Sequence, residues 1–356
     1  MLNSDFFAHW QTNMSEIDPV KIICWCGFAA DRIEAAVRPH KQLMLQRVET
    51  LDAFRDHVMD ADGALMIGVD GHYDQAVAEV VRNAPSRFRW IQNMTAGYDG
   101  LSKHGVSPSI TVTLSRGSNA ISVAEHGFAL LLASIRAIPD IARNQSKLRW
   151  SHEVLPRLSS LEGRMLCVVG AGAIGVEFAR LAKAFRMQTT GIVRRYHPCE
   201  HMDFIVETKD RLAAIRSADV LCIAAPLTDE TYRLVGRAEL EALGSKGYLV
   251  NIGRGPIVDS AELNIALREG VIAGAALDVT DPEPLPQSDP LWTAPNLLIS
   301  PHVAGYGSER SFERLVELVV DNMLRFSKGC ALLHPWERDA PAKSLTKGAS
   351  LSGDSV

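Results

Sequence analysis

The sequence predicts two doubly wound α/β domains, each built on a parallel sheet, with the second inserted into the first. Short apolar runs alternate with amphipathic stretches along most of the 356 residues, the rhythm of parallel strands and their crossover helices. The run Val168-Val169-Gly170-Ala171-Gly172-Ala173-Ile174-Gly175 ends the apolar stretch Met165 to Val169 in the middle of the chain. A glycine pattern of this kind opens a sheet of its own, so the α/β block that precedes it must be a separate unit. A hydrophobic content of 47% over this length supplies two cores of ordinary size.

In the first block, Lys21 to Cys26, Gly63 to Ile67, Phe88 to Gln92 and Ile110 to Leu114 read as strands, and Ala29 to Val37 and Tyr73 to Asn83 as helices. Cys24 and Cys26 share one face of their strand and read as small core residues. Ser122 to about Ser146 reads as one long amphipathic helix, with Ser122 as its N-cap and Glu125 completing a capping box. Beyond Gly170, strands are predicted at Gln188 to Val193, Val220 to Ala224, Tyr248 to Asn251, Gly274 to Leu277 and Leu297 to Ser300. Ser308 to Lys328 is helical, with Phe312, Leu315, Leu318, Val319 and Met323 on one face. The stretch Arg338 to Val356 is rich in Ser, Lys, Gly and Ala and is expected to be a disordered tail. The resulting division is residues 1–118 plus 303–337 for the first domain and 119–302 for the inserted one, with a cleft between them.

Several function classes drop out. A net charge of −5 and the absence of any basic run longer than the pair Arg194-Arg195 argue against a nucleic-acid partner. Met1 to Val20 contains no Lys or Arg and no apolar core segment, so neither a secretory signal nor a transit peptide is expected. The longest strongly apolar run, Phe128 to Ile135, is too short to span a bilayer, and no membrane partner is expected. The six cysteines are scattered and read as reduced thiols of a cytoplasmic protein. His197, Cys199 and His201 form an isolated H-x-C-x-H cluster without a second ligand pair, so no metal is predicted.

The glycine run points to a cofactor. A G-x-G-x-x-G turn between strand and helix lays a dinucleotide pyrophosphate against the N–H groups of the helix that starts at Ala173 and Ile174. Gly170 permits the turn, Gly172 lets the backbone approach the phosphates, and Gly175 lets helix and strand pack closely. About 20 residues further on, where an acidic residue usually meets the ribose diol, the sequence is Gly191-Ile192-Val193-Arg194-Arg195-Tyr196. Arg194 and Arg195 put positive charge where a 2′-phosphate lies, so NADP(H) is predicted over NAD(H).

Two further segments carry reaction chemistry. Arg254, between two glycines, offers a fork that can hold a carboxylate and polarise the adjacent carbonyl. His302, at the end of a strand pattern, can give a proton to a nascent alkoxide. Glu283 or, two residues earlier, Asp281 can orient the imidazole and favour its protonated form.

Asn93-Met-Thr-Ala-Gly-Tyr-Asp99, the glycine run, Val250-Asn-Ile-Gly-Arg-Gly-Pro-Ile-Val-Asp259, and Leu277-Asp-Val-Thr-Asp-Pro-Glu-Pro284 followed by Ser300-Pro-His-Val-Ala304 occur in the order seen in one family. Over roughly residues 60 to 330 the chain resembles the D-isomer-specific 2-hydroxyacid dehydrogenases. The resemblance implies a flavodoxin-like substrate domain with an inserted Rossmann dinucleotide-binding domain, and interconversion of a 2-oxo acid with a D-2-hydroxy acid. It implies Arg254, Glu283 and His302 as the catalytic set, and substrate contacts at Ala96, Gly97 and Tyr306 besides Arg254 and His302. Asp278 matches the residue that meets the nicotinamide carboxamide, and Pro226 and Ile252 are added as cofactor contacts. It further implies a homodimer formed through the helix from Ser122 and the segment around Trp150. Glyoxylate, hydroxypyruvate and larger apolar 2-oxo acids are candidate substrates, with Tyr98, Trp150 and Tyr306 shaping the pocket. An NAD-dependent dehydrogenase, a dinucleotide-sensing regulatory protein on the same fold, and a formate or phosphite oxidase are the alternatives. Glu283 stands against the formate enzyme, which usually pairs its His with Gln.

Overall fold

The computed structural model describes residues 18–337; the tail predicted from residue 338 onward lies outside them. Near the N-terminus run β1 (Val20–Trp25), α1 (Ala30–Val37), β2 (Leu43–Arg47), α2 (Leu51–His57), β3 (Gly63–Met66), α3 (Gln75–Arg82), β4 (Trp90–Asn93), α4 (Asp99–His104) and β5 (Thr111–Leu114). Their five strands form one parallel sheet in the order β2-β1-β3-β4-β5. The chain continues through α5 (Ala120–Ile135), α6 (Ile138–Ser146), β6 (Met165–Val169), α7 (Ala173–Ala184), β7 (Gln188–Val193), β8 (Phe204–Glu207), α8 (Arg211–Arg216) and β9 (Val220–Ile223). It then forms α9 (Arg237–Leu243), β10 (Tyr248–Asn251), α10 (Ser260–Arg268), β11 (Gly274–Leu277), β12 (Leu297–Ile299) and α11 (Glu309–Ser327). The second sheet is also parallel throughout, in the order β12-β11-β10-β9-β6-β7-β8.

Both sheets reverse strand order once, between β1 and β3 and between β6 and β9, and at such points the loops after the strands diverge to leave a crevice. At the second, the approach is so close that a Cβ on Gly170 would stand 2.7 Å from the Ala225 backbone. Gly170 has φ +93°, a conformation that L side chains rarely adopt.

After β12 the chain returns to the first sheet. α11 begins at Ser308, whose side chain accepts from the Ser311 N–H, and it packs Leu315, Val319 and Met323 against Ile22, Ile33, Leu65 and Trp90. Cys24 and Cys26 are buried in the same core, with their sulfurs 3.4 Å apart. The segment after α11 lies along the outer strand β5, where Leu114 N donates to His334 O and Trp336 N donates to Val112 O, so that edge of the sheet is covered. Asn322, wholly buried, holds this segment in place. Its amide donates to Gln92 Oε1 at 2.9 Å and to Leu333 O at 3.2 Å, and its carbonyl accepts from Leu333 N at 2.7 Å.

Three local expectations change. The single helix predicted from Ser122 to Ser146 is two helices bent by 67° at Arg136-Ala137. Pro139 explains the break: it has no N–H to give to Ile135, whose carbonyl accepts from Ser159 N instead. Ser122 is not the N-cap, because α5 starts at Ala120 and the Ser122 hydroxyl donates back to Asn119 O. Two strands, β2 and β8, were not predicted; both are edge strands with half-exposed faces, and their apolar runs, Leu43–Leu45 and Phe204–Val206, are short and flanked by polar residues.

Replacing Asn322 by Ala strands the Leu333 N–H and C=O and is expected to cost about 3 kcal/mol, read as a lower urea midpoint. Asp321→Ala on the exposed face of the same helix should change stability by less than about 0.5 kcal/mol.

Candidate active site

A cleft of 780 Å³ lies between the two sheets and is lined from both sides. The loops after β3 and β4 and the inner face of α11 form one wall. The glycine loop, the loops after β9, β10 and β11, and the segment after β12 form the other.

The dinucleotide wall is shaped by absence of side chains. Gly172 precedes α7 without a side-chain cap, and a Cβ on it would have nothing within 4 Å. A Cβ on Gly175 would overlap the Gly170 carbonyl oxygen, so only glycine lets the helix start so close to the turn. The first N–H groups of a 12-residue helix therefore face open space, which fits a pyrophosphate. Ile174 and Ile252 line the cleft here, whereas Ala173 and Pro226 stand exposed at their loop ends. Arg194 and Arg195 are exposed directly after β7. Their loop folds back on the fingerprint: Cys199 Sγ lies 3.9 Å from Ala171 O, and a Cβ on Gly191 would sit 3.3 Å from the Ala171 methyl. His197 Nδ1 meets Arg195 O, and among the described residues no group of three or more His, Cys, Asp or Glu is placed to hold a metal ion.

Arg254 leaves the loop after β10 and crosses the cleft. Its Nε donates to Asp99 Oδ1 at 3.0 Å and its Nη1 to Gly253 O at 2.8 Å. The guanidinium occupies the space a side chain would need at residue 97, so a Cβ there would displace it from this position. The Gly97 carbonyl is tied by Asn93 Nδ2 at 2.6 Å and Thr95 Oγ1 at 2.9 Å. The Ala96 and Gly97 N–H groups have no partner among the described residues and line the cleft beside Arg254.

His302 Nδ1 lies 2.8 Å from Glu283 Oε2, and Glu283 Oε1 accepts from Thr280 N at 2.9 Å. Of the two acids considered, Glu283 and not Asp281 meets the imidazole. The contact fixes Nδ1 and leaves Nε2 for a substrate. The hydrogen bond to Glu283 raises the His302 pKa above the ordinary imidazole value, outweighing burial and the nearby Arg254 cation. Burial pushes the Glu283 carboxyl up, but the bonds from His302 and the Thr280 N–H prevail and hold it below the usual range.

His302 has φ +52°, a left-handed conformation that costs a non-glycine residue about 1 kcal/mol. Asp278, 2% exposed, stabilises it. Its carbonyl accepts from His302 N at 2.8 Å, and its carboxylate accepts from Ser300 Oγ at 2.6 Å, Val303 N at 3.0 Å and Ala304 N at 3.1 Å. His126 of α5 adds Nε2 at 2.9 Å from Ser300 Oγ and 3.3 Å from Asp278. Asp278 thus shapes the His302 loop as well as lining the cleft.

Sequence reasoning missed Asp99, His126 and Ser300. Asp99 closes the quoted Asn93–Asp99 motif and Ser300 opens the one containing His302, so each carried a signal; His126, inside a helix, carried none. Of the aromatic residues proposed for the pocket, only Tyr306 lines it. Tyr98 packs on Trp336 with ring centroids 5.6 Å apart, and Trp150 projects outside the cleft at 95% exposure.

Residues 128–304 match the model of the D-isomer specific 2-hydroxyacid dehydrogenase NAD-binding domain. The chain is 32% identical over 310 residues to a glyoxylate reductase of Korarchaeum cryptofilum, covering 85% of this chain and 87% of the relative. It is 31% identical over 281 residues to glyoxylate/hydroxypyruvate reductase B of Serratia proteamaculans, covering 77% and 83%. Among solved structures, it superposes with TM-score 0.70 and 28% identity on the NADPH-dependent glyoxylate/hydroxypyruvate reductase of Sinorhizobium meliloti in complex with NADP and malonate, covering 92% and 99%. A D-isomer specific 2-hydroxyacid dehydrogenase family protein of Aeromonas salmonicida gives TM-score 0.77 at 26% identity, covering 90% and 99%. The chain belongs to the D-isomer-specific 2-hydroxyacid dehydrogenase family, and is an oxidoreductase that uses a nicotinamide dinucleotide to interconvert a 2-oxo acid and a 2-hydroxy acid.

Proposed function

We propose that the protein reduces a small 2-oxo acid to the D-2-hydroxy acid with NADPH. The observation that carries this reading is the convergence of Arg254 and the His302–Glu283 pair on the cleft that also receives the start of α7. The substrate carboxylate is held by Arg254 and the Ala96 and Gly97 N–H groups, and Tyr306 closes one side. Arg254 polarises the carbonyl and stabilises negative charge growing on its oxygen. When bound, the reduced nicotinamide supplies the hydride. His302 Nε2 donates the proton to the same oxygen, while Glu283 fixes the tautomer and charge of the ring. A dinucleotide-sensing regulatory role is not favoured, since the similar proteins above are named as reductases and the proton donor is assembled with its acid.

The preference for NADP(H) rests on Arg194 and Arg195 beyond β7 and is supported by the NADP-bound relative. Residues 119–302 serve as the dinucleotide-binding domain, and 1–118 with 303–337 as the substrate domain; the family match over 128–304 and the packing of α11 on the first sheet support this division. Ile138, Ile141, Leu148, Trp150 and Leu155 are exposed apolar side chains on and after α6, which supports a homodimer through this region. Six unpaired thiols support a reducing, cytoplasmic compartment.

Wild-type kcat/KM should be higher with NADPH than with NADH, and changing Arg194 and Arg195 together to Ala should lower the NADPH value by about ten-fold or more while sparing NADH. Faster turnover with NADH in the wild type would refute the assignment. In reduction, kcat/KM should hold steady at acid pH and decline as pH rises through the raised His302 pKa, because the ring then loses the proton it donates. Glu283→Gln removes the bond that raises this pKa, so its decline should begin at lower pH; an unmoved profile would assign the titration to another group. His302→Ala should reduce kcat roughly a hundred- to ten-thousand-fold with NADPH binding retained. Sedimentation should give a dimer, and a stable monomer at micromolar protein would remove that part of the proposal.

A further inference from the structure

The substrate wall of the cleft is more apolar than the smallest 2-oxo acids need. Phe28 follows β1, Ile67 and Val69 follow β3, Met94 follows β4, and Phe312 and Leu315 come from α11; all six line the cleft on the side opposite the glycine loop. Val69 lies close to the carboxylate cation, with its Cγ1 3.2 Å from the point on Gly97 that Arg254 overhangs. The wall is an extension of a packed core, because Met94 and Leu315 are buried members of the cluster beneath the first sheet and Phe28 and Ile67 pack against it. Phe312 is held from behind by the Arg32 guanidinium, 5.4 Å from its ring centroid, and Arg32 is tied to Glu309 by bonds of 2.5 and 3.1 Å. A wall fixed in this way offers burial to a substrate side chain without having to order itself first.

Charge narrows the class further. Among the described residues lining the cleft, Arg254 is the one Arg or Lys, whereas Asp70, Asp99, Asp278, Asp281 and Glu283 are acidic. Arg254 is committed to the carboxylate next to the reacting carbonyl, and a second carboxylate would find no further Arg or Lys among the described lining residues, only polar groups such as Ser118, Asn119, Ser311 and His72, acids, and an apolar surface. His72 lies exposed beside Asp70 at the mouth, and Asp70 is paired with Lys103 at 2.7 Å.

Building on the 2-oxo acid reductase reading, we infer that this chain is built for monocarboxylic 2-oxo acids with an apolar side chain of several carbons, branched or aromatic, and discriminates against glyoxylate and dicarboxylic 2-oxo acids. The side chain lies against Val69, Met94, Phe312 and Leu315 while the carboxylate stays on Arg254 and the Ala96–Gly97 backbone.

The test is kcat/KM at saturating NADPH for glyoxylate, pyruvate, 4-methyl-2-oxopentanoate, phenylpyruvate and oxaloacetate. At about four-fold per buried methylene, discounted for incomplete burial, 4-methyl-2-oxopentanoate should exceed glyoxylate by at least about thirty-fold, with oxaloacetate below pyruvate. Val69→Ala and Phe312→Ala should each lower the ratio of 4-methyl-2-oxopentanoate to glyoxylate by about three-fold or more. Glyoxylate or oxaloacetate as the best substrate, or ratios unchanged in both soluble variants, would overturn the inference and leave the reductase reading standing. If none of the five acids is reduced with NADPH or NADH although NADPH binding is seen by fluorescence, the reductase reading itself falls, and the inference with it.

Discussion

Arg254 reaches from the second sheet to Asp99 of the first, and its guanidinium lies where residue 97 would carry a side chain. One residue thus joins the two halves of the molecule at the point proposed to hold the substrate carboxylate. The pair is partly buried, so its hydrogen bond is less weakened by solvent than that of a surface ion pair, and it fixes the direction of the fork as well as its charge. Asp99 takes Nε and Gly253 O takes Nη1, which leaves Nη2 as the nitrogen facing Gly97. Any displacement of one sheet relative to the other moves this cation against the Ala96 and Gly97 N–H groups.

The rest of the site is organised by the ends of parallel strands. β6 and β9 diverge at the reversal of strand order, and the Gly170–Ala225 approach holds their loops together before they part around the cleft. β11 and β12 deliver Asp278 and the His302 loop side by side, and the buried Asp278 carboxylate is compensated by a hydroxyl and two backbone N–H groups from that loop. The same bonds keep His302 in its left-handed conformation. His126 joins this network from α5, so the His302 loop is braced from a helix as well as from two strands.

How much of this could be read in advance follows the physics of each feature. Central strands such as β3, β6 and β10 are buried along their length, whereas the edge strands β2 and β8 are partly exposed and their short apolar runs are flanked by polar residues. The kink at Arg136-Ala137 was written in Pro139, but apolar periodicity continued through it and suggested a single helix. Gly170, Gly172, Arg254 and His302 stood out because their chemistry demands particular residue types at particular loop ends. Asp99 and His126 act through partners distant in the chain, and distance in space has no signature in local pattern. Local pattern left Asp281 and Glu283 both open, the family motif favoured Glu283, and in the fold it is the Glu283 carboxylate that reaches the imidazole.

The charge on His302 results from competing neighbours, and their arrangement favours the reductive direction. The Glu283 hydrogen bond, and the charges of Glu283 and Asp278, favour the imidazolium; burial and Arg254 oppose it. In the proposed reaction Arg254 cannot be moved away, because the carboxylate assigned to it lies next to the carbonyl that His302 would protonate. The site therefore contains a cation that pushes the proton off its own donor, and Glu283 is the group that reverses the effect. On the proposed reading, a substrate carboxylate on Arg254 would neutralise part of its charge and so weaken that opposition. In the proposed cycle, once the proton has passed to the alkoxide the neutral ring would still donate Nδ1–H to Glu283, and its Nε2 could accept the proton back in the oxidative direction. A carboxylate at position 283, rather than a neutral amide, thus serves both to load the ring for reduction and to keep one tautomer through the cycle.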